Sequence, residues 1–101
     1  MTEQFIEKQN IDIIKAIAEG DVSKIDELIN KNPKLLLMET TGAHNNLGHL
    51  AAINNDIEVI RYFIAKGVNL TQKNKAGHTP LQLLKKDASI IIRKELLESK
   101  D

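Results

Sequence analysis

The sequence contains no cysteine, and this absence excludes several kinds of chemistry. Without thiols there is no disulfide framework, no thiolate zinc site and no cysteine nucleophile. The first residues, 1–8, are polar and amphipathic and lack the apolar core of a secretory signal. Both features fit a reducing compartment, so we expect a cytoplasmic protein.

Aromatic residues and excess charge are also scarce. Aromatics make up only 3% of the 101 residues, and 14 basic side chains balance 14 acidic ones. Nonspecific nucleic-acid binding needs a cationic surface, and binding of single strands also needs aromatic rings for stacking. We therefore expect no nucleic-acid partner. The heavy use of Ile, Lys and Asn suggests an AT-rich coding sequence and a microbial source.

Long apolar runs are absent as well. The longest, 35–38 and 90–92, are far too short to cross a bilayer, so we expect no membrane partner. The chain is of a length typical of one domain.

The stretch 74–84 combines a turn with the start of a helix. Gly77 supplies a position where a positive φ costs little. Thr79 can cap a helix with its hydroxyl, and Pro80 then sits at the first helical position, where its missing N–H is no loss. A short run of leucines follows, so this stretch predicts a polar turn leading into a capped apolar helix.

A related segment lies one period of about 33 residues earlier. In that register Thr79 falls on Asn46 and Gln82 falls on His49, so 46–52 resembles a degraded Thr-Pro-Leu-His-x-Ala-Ala. Together with the segment 58–67, similar to a second helix with its closing glycine, these motifs resemble the ankyrin repeat family. The resemblance implies an all-α repeat fold, a helix-turn-helix solenoid with β-hairpin or loop tips.

The register predicts a single domain of three repeats. Charged residues stand in outward slots at both ends, such as Lys24 and Glu27 in the first repeat and Arg93 and Glu95 in the third. Because terminal repeats need a polar outer face, we expect a complete three-repeat protein. The expected limits are 1–101 for the domain, with repeat 1 at about 5–40, repeat 2 at about 41–73 and repeat 3 at about 74–101.

Apolar periodicity and capping residues predict the helices. Asp21 and Asp56 are expected N-caps, and Asn55 is expected at a left-handed position. The first helix is predicted over 2–18 and the last at about 89–99. Their predicted buried stripes are Phe5, Ile6, Ile13, Ile14 and Ile17 in the first helix, and Ile92, Leu96 and Leu97 in the last.

The three histidines are candidates for a metal site or a general base. His49 takes the place of the family histidine that bonds neighbouring backbone, which implies a structural role. His44 and His78 lie on successive tips and could face one partner or bracket a metal, but no carboxylate lies at ligand spacing. No Gly-x-Ser-x-Gly motif and no phosphate loop are present, so we expect neither an enzyme nor a metal or cofactor.

The resemblance implies a binding surface, the concave groove formed by the tips and first helices. Ile53 stands out because an isoleucine in a groove slot has no folding reason to be there. The sequence leaves open whether the tip at 39–48 keeps the usual geometry. The predicted partner-binding residues are Ala43, Asn45, Ile53, Asn54, Lys66, Lys75, His78, Lys86 and Asp87.

Two functions follow from these features. The first is a small adaptor or inhibitor that binds another protein through the groove. The alternative is a structural protein that forms a homodimer through its last helix, where Ile90 and Ile91 cannot both be buried alongside Ile92, since adjacent helical residues point about 100° apart.

Overall fold

The structure, a computed structural model, describes the backbone of residues 3–98 and the side chains of residues 10–98. Within that range every element of regular secondary structure is a helix, so the expected all-α fold is confirmed and the tips are loops without strands. The elements are α1 Glu3–Glu19, α2 Val22–Lys31, a 3₁₀ turn Pro33–Leu37, α3 Leu47–Ile53, α4 Ile57–Ala65, α5 Pro80–Leu83 and α6 Lys86–Glu98.

The six α-helices form two layers. They pack as three successive pairs, α1 with α2, α3 with α4, and α5 with α6. The first helices α1, α3 and α5 lie side by side, and the second helices α2, α4 and α6 do the same. This is the stacking of an ankyrin-type repeat, in which each unit packs only on its neighbours. None of the described helices is both long and apolar enough to cross a membrane.

The connections within the first two pairs follow the predicted local chemistry. Gly20 and Asn55 end their helices in the left-handed region, with φ of 67° and 54°. Asp21 accepts a hydrogen bond from the backbone N–H of Lys24 at 3.0 Å, and Asp56 accepts one from Val59 at 3.2 Å. Both aspartates therefore cap their helices as expected.

The last helix begins earlier than the sequence predicted. The predicted start was about Ser89, but α6 begins at Lys86 because the N–H of Ser89 donates to the carbonyl of Lys85 at 2.8 Å. The backbone N–H of Lys85 in turn donates a hydrogen bond to the side-chain oxygen of Asn55 at 3.0 Å. This bond positions the Lys85 carbonyl that starts the helix. Lys86 and Asp87, which the repeat register places at the end of a first helix, therefore lie in the first turn of α6 instead.

The core lies between the two layers, and its largest buried side chains include Phe63, Ile13 and Ile17. Two predicted core residues are not buried. Ile14 is 36% exposed because it points about 100° away from its neighbour Ile13, and Leu97 is 70% exposed on the outer side of α6. The side chains of Phe5 and Ile6, also predicted for the core, lie outside the described residues.

Glu95 was predicted to face outward from the last repeat, and this was wrong. Its carboxylate instead accepts hydrogen bonds from Arg61 on α4, at 2.6 Å from Nη2 and at 3.0 and 3.2 Å from Nε. The hydrogen bonds and charge of the Arg61 guanidinium lower the pKa of Glu95 below its ordinary value. The pair ties α6 to the preceding helix pair.

Candidate functional site

The solvent side of α3 carries the most conspicuous predicted site residue. Because α1 and α5 flank α3 and α4 packs behind it, one side of this helix remains open. Ile53 lies on that side and is 58% exposed, and Leu50, one turn earlier, is half-buried. The expectation that an isoleucine would be exposed at this position is met.

The neighbouring helix α1 adds two isoleucines that the sequence did not assign to the site. Ile11 is 57% exposed and Ile14 is 36% exposed, and their i, i+3 spacing puts them on one side of the helix. Ala18 continues that line and is also exposed. The signal was available, because Ala18 lies in the slot of Ile53 and its helical stripe runs back through both isoleucines.

The third first helix, α5, contributes Leu83. This residue is half-buried and lies one period after Leu50. We call these five residues of three adjacent helices the apolar floor: Ile11, Ile14, Leu50, Ile53 and Leu83.

The two tips are bound to each other beside this floor. The N–H of Lys75 donates to the carbonyl of Ala43 at 2.9 Å, and the side-chain amide of Asn74 donates to the side-chain oxygen of Asn45 at the same distance. Asn45 is consequently half-buried, whereas Ala43 and Lys75 remain exposed. The structure thus brings the predicted tip residues together and gives Asn45 a bracing bond.

The tips close with the same chemistry but differ in length. In the first, Thr40 N–H donates to Asn45 carbonyl at 2.9 Å, and Asn45 N–H donates back to the Thr40 hydroxyl at 3.1 Å. In the second, Asn74 and His78 make the corresponding pair at 2.8 and 3.0 Å. Four residues lie inside the first loop and three inside the second, and the extra one is accommodated by a positive φ of 55° at His44.

His49 joins the first helices to the tips. Its ring is fully buried, and Nδ1 lies 2.9 Å from the N–H of Asn46, which donates to it. Nδ1 therefore carries no proton, so Nε2–H is the donor to the carbonyl of His78 at 2.9 Å. This bonding confirms the structural role predicted for His49.

Three further predicted residues lie in three different parts of the molecule. Asn54 is exposed at the end of α3, where its amide donates to the carbonyl of Ile17 on α1 at 3.4 Å. His78 is exposed on the second tip. Lys66 instead lies at the end of α4, with its ammonium 5.6 Å from the centre of the Tyr62 ring, so it belongs to the second-helix layer.

Comparison with known proteins identifies the central segment. Residues 43–72 match the family described as ankyrin repeat. This segment is an ankyrin repeat. It spans α3, α4 and the connection that follows, and it stops before the Thr79-Pro80 pair on which the repeat register rests.

Two plant proteins are similar to the same chain. Over 69 residues it is 28% identical to the E3 ubiquitin-protein ligase XBAT32 of Arabidopsis thaliana and 29% identical to the probable E3 ubiquitin-protein ligase XBOS32 of Oryza sativa subsp. japonica. The match covers 68% of this chain but only 14% of either relative. The chain thus corresponds to a small part of each ligase.

The ankyrin unit and its neighbours present an apolar floor with a polar rim. The second tip carries the cations Lys73 and Lys75, and α6, which follows α5, begins with Lys86 and Asp87, all exposed. On the first tip, the ring of His44 lies 3.5 Å from the carboxylate of Glu39. An apolar centre with a polar rim is the usual anatomy of a protein interface. Among the described residues, no group of three His, Asp or Glu side chains could hold a metal ion.

Proposed function

We propose that this protein is a non-enzymatic interaction module that binds a partner protein through the apolar floor and the adjoining tips. The exposure of Ile53, 58% on an otherwise well-packed helix, is the observation that carries the proposal. In this role the protein acts as a small adaptor or inhibitor. We propose the cytoplasm as its compartment, which is supported by the cysteine-free sequence.

The shape of the surface supports binding to a protein. The apolar floor crosses three adjacent helices, so an extended or helical segment lying across it would cover apolar side chains from each. The tips are already fixed by the bonds from Lys75 to Ala43 and from Asn74 to Asn45. A surface that is ordered before binding loses little conformational freedom when the partner arrives.

The test is a double substitution, Ile53→Asp with Lys86→Glu. The protein is first used as bait in an extract of its native cells, and the captured partner is identified and produced in purified form. We expect the double variant to lose binding of that purified partner, while its melting curve stays close to that of the original protein because both side chains are largely exposed. Undiminished binding would remove the floor from consideration.

A matched control comes from the 3₁₀ turn. Leu37 is 84% exposed and lies outside the apolar floor. Leu37→Asp makes the same kind of change, from an exposed apolar residue to a charge, and should leave binding intact. A loss with both variants would show that binding depends on general surface charge and not on the floor.

A second candidate function is self-association through α6. The observation that favours it is the exposure of Ile90, Ile91 and Leu97, at 56%, 40% and 70%. Sedimentation at micromolar concentration tests this candidate, and a monomer of 11.3 kDa at every concentration would contradict it.

A further inference from the structure

Polar contacts occupy corresponding slots at both junctions of the second-helix layer. Between α2 and α4, the hydroxyl of Tyr62 donates to the carboxylate of Asp26 at 2.8 Å. Between α4 and α6, Arg61 donates to Glu95 at 2.6 Å. The left-handed residues Gly20 and Asn55 are 35 positions apart, so each residue of α2 corresponds to the residue 35 positions later in α4. The N-caps Asn46 and Thr79 are 33 positions apart, so each residue of α4 corresponds to the residue 33 positions later in α6.

In this register Asp26, Arg61 and Lys94 occupy one slot, which faces the following helix pair. Glu27, Tyr62 and Glu95 occupy the next slot, which faces the preceding pair. Apolar side chains accompany the polar contact at the second junction, where Ile64 and Leu96 line a common cavity of about 230 Å³.

The outer side of α6 repeats the chemistry that α4 offers to its neighbour. Lys94 stands in the slot of Arg61 and keeps its positive charge, and Leu97 stands in the slot of Ile64 and keeps its apolar character. Both side chains are exposed, Leu97 to 70%. This side of α6 therefore carries the same kinds of side chain that α4 directs toward α6.

The outer side of α2 repeats the chemistry that α6 offers to α4. Glu27 stands in the slot of Glu95 and Leu28 in that of Leu96. The Glu27 side chain is 51% exposed, and its ion pairs with Lys24 at 3.8 Å and Lys31 at 3.3 Å lie on the surface. Such exposed pairs contribute little, so the carboxylate can exchange partners.

We propose that a second copy of this chain stacks on the first, head to tail, by repeating the α4–α6 junction between α6 of one copy and α2 of the next. Lys94 pairs with Glu27 of the second copy, and Leu97 packs on its Leu28. This interface is distinct from the groove and leaves the apolar floor open. Because the two faces differ, the association is open-ended instead of stopping at a dimer.

Charge favours this arrangement over a symmetric one. A pair of α6 helices packed face to face would bring Arg93 and Lys94 of both copies together, and like charges at an interface repel. Head-to-tail stacking instead sets the cation Lys94 against the anion Glu27.

Charge reversal tests the proposed contact. By sedimentation equilibrium from micromolar to millimolar concentration at low salt, we expect the average mass to rise above 11.3 kDa and to exceed twice that value at the top of the series. Either Lys94→Glu or Glu27→Lys should lower the association constant about tenfold, because each replaces an attraction with a repulsion.

Mixing the two variants gives the sharper result. The carboxylate introduced at position 94 of one variant then meets the ammonium introduced at position 27 of the other. At the next contact along the stack, the unchanged Lys94 of the second variant meets the unchanged Glu27 of the first. An equimolar mixture should therefore regain association. A face-to-face α6 contact predicts instead that Glu27→Lys associates like the original protein, because that variant leaves α6 unchanged.

Lys34→Glu is the charge control, since it makes the same change in the exposed 3₁₀ turn and should associate normally. A monomer at every concentration, undiminished association of Glu27→Lys, or failure of the mixture to recover would each overturn the proposal. None of these outcomes bears on binding at the apolar floor, which is measured with other variants and a different partner.

Discussion

The starts of α3 and α5 have the same geometry but very different surroundings. Each is a capping box, formed by Asn46 and His49 in α3 and by Thr79 and Gln82 in α5. The pair in α3 is buried, and it also bonds to the backbone of Asn69 and His78. Gln82 in the other pair is exposed, and the two bonds that form its capping box stay within the turn.

The difference shows that likeness to the ankyrin consensus and structural importance can diverge. The start of α5 carries the clear Thr79-Pro80 motif, whereas the start of α3 has lost both residues. Nevertheless the α3 start links two helix pairs, because His49 reaches the backbone of the second tip. The departures from the family motif at Asn46 and Leu47 therefore lie in a well-bonded, buried part of the molecule.

The largest effect is expected from His49→Ala compared with Gln82→Ala. Removing the buried imidazole leaves the N–H of Asn46 and the carbonyl of His78 without that partner and opens a cavity, which should lower the free energy of unfolding by about 3–4 kcal/mol. Removing Gln82 should cost only about 1 kcal/mol, since its capping bond is exposed. Urea unfolding measures both losses. Equal losses would show that the buried capping box of α3 contributes no more to stability than the exposed one of α5.

A smaller effect is expected from Gly48→Ala. Replacing a glycine inside a helix by alanine usually raises the free energy of unfolding by about 1 kcal/mol. Here a Cβ would lie 2.9 Å from Leu70 Cδ2 and 3.0 Å from the capping oxygen of Asn46, so the buried cap would have to shift. We expect a net loss of about 1–2 kcal/mol in thermal or urea unfolding. A more stable variant would show that the α3 start has room to adjust.

The smallest effect concerns an exposed bond, between Arg61 and Glu95. Because Arg61 lowers the pKa of folded Glu95, the pair stabilises the protein above the ordinary carboxyl pKa of 4.5, and this contribution is lost as the pH falls through the lower folded value. Glu95→Gln should therefore differ from the original protein at pH 7 and converge with it in acid. Unfolding curves at several pH values measure the difference in free energy of unfolding between the two proteins. This difference should stay smaller than the loss caused by His49→Ala. A difference that does not change with pH would contradict a stabilising ion pair.

Much of the fold could be predicted because its signals are local. The aspartate caps at 21 and 56 and the left-handed Asn55 each follow from the chemistry of one residue and its near neighbours, whereas the structural role of His49 was implied by the family resemblance. The exposure of Ile53 followed from its slot in the repeat register.

Apart from Ile14, whose exposure follows from the geometry of α1 itself, the errors arose where the outcome depends on contacts between repeats. The early start of α6 depends on Asn55 holding the N–H of Lys85 from 30 positions away. The inward turn of Glu95 depends on Arg61, and the exposure of Leu97 depends on the orientation that α6 then adopts. A fixed period also could not reveal that the first tip holds one more residue than the second.

Binding of a partner protein in the groove can be tested directly with a photoreactive amino acid placed at position 53 or, for comparison, at position 37. Both positions are exposed leucine or isoleucine sites, at 58% and 84%, but only Ile53 belongs to the apolar floor. On irradiation in native cells, we predict a covalent adduct with another protein from position 53 and none from position 37. Adducts from position 37 alone would contradict the assignment of the groove as the binding surface.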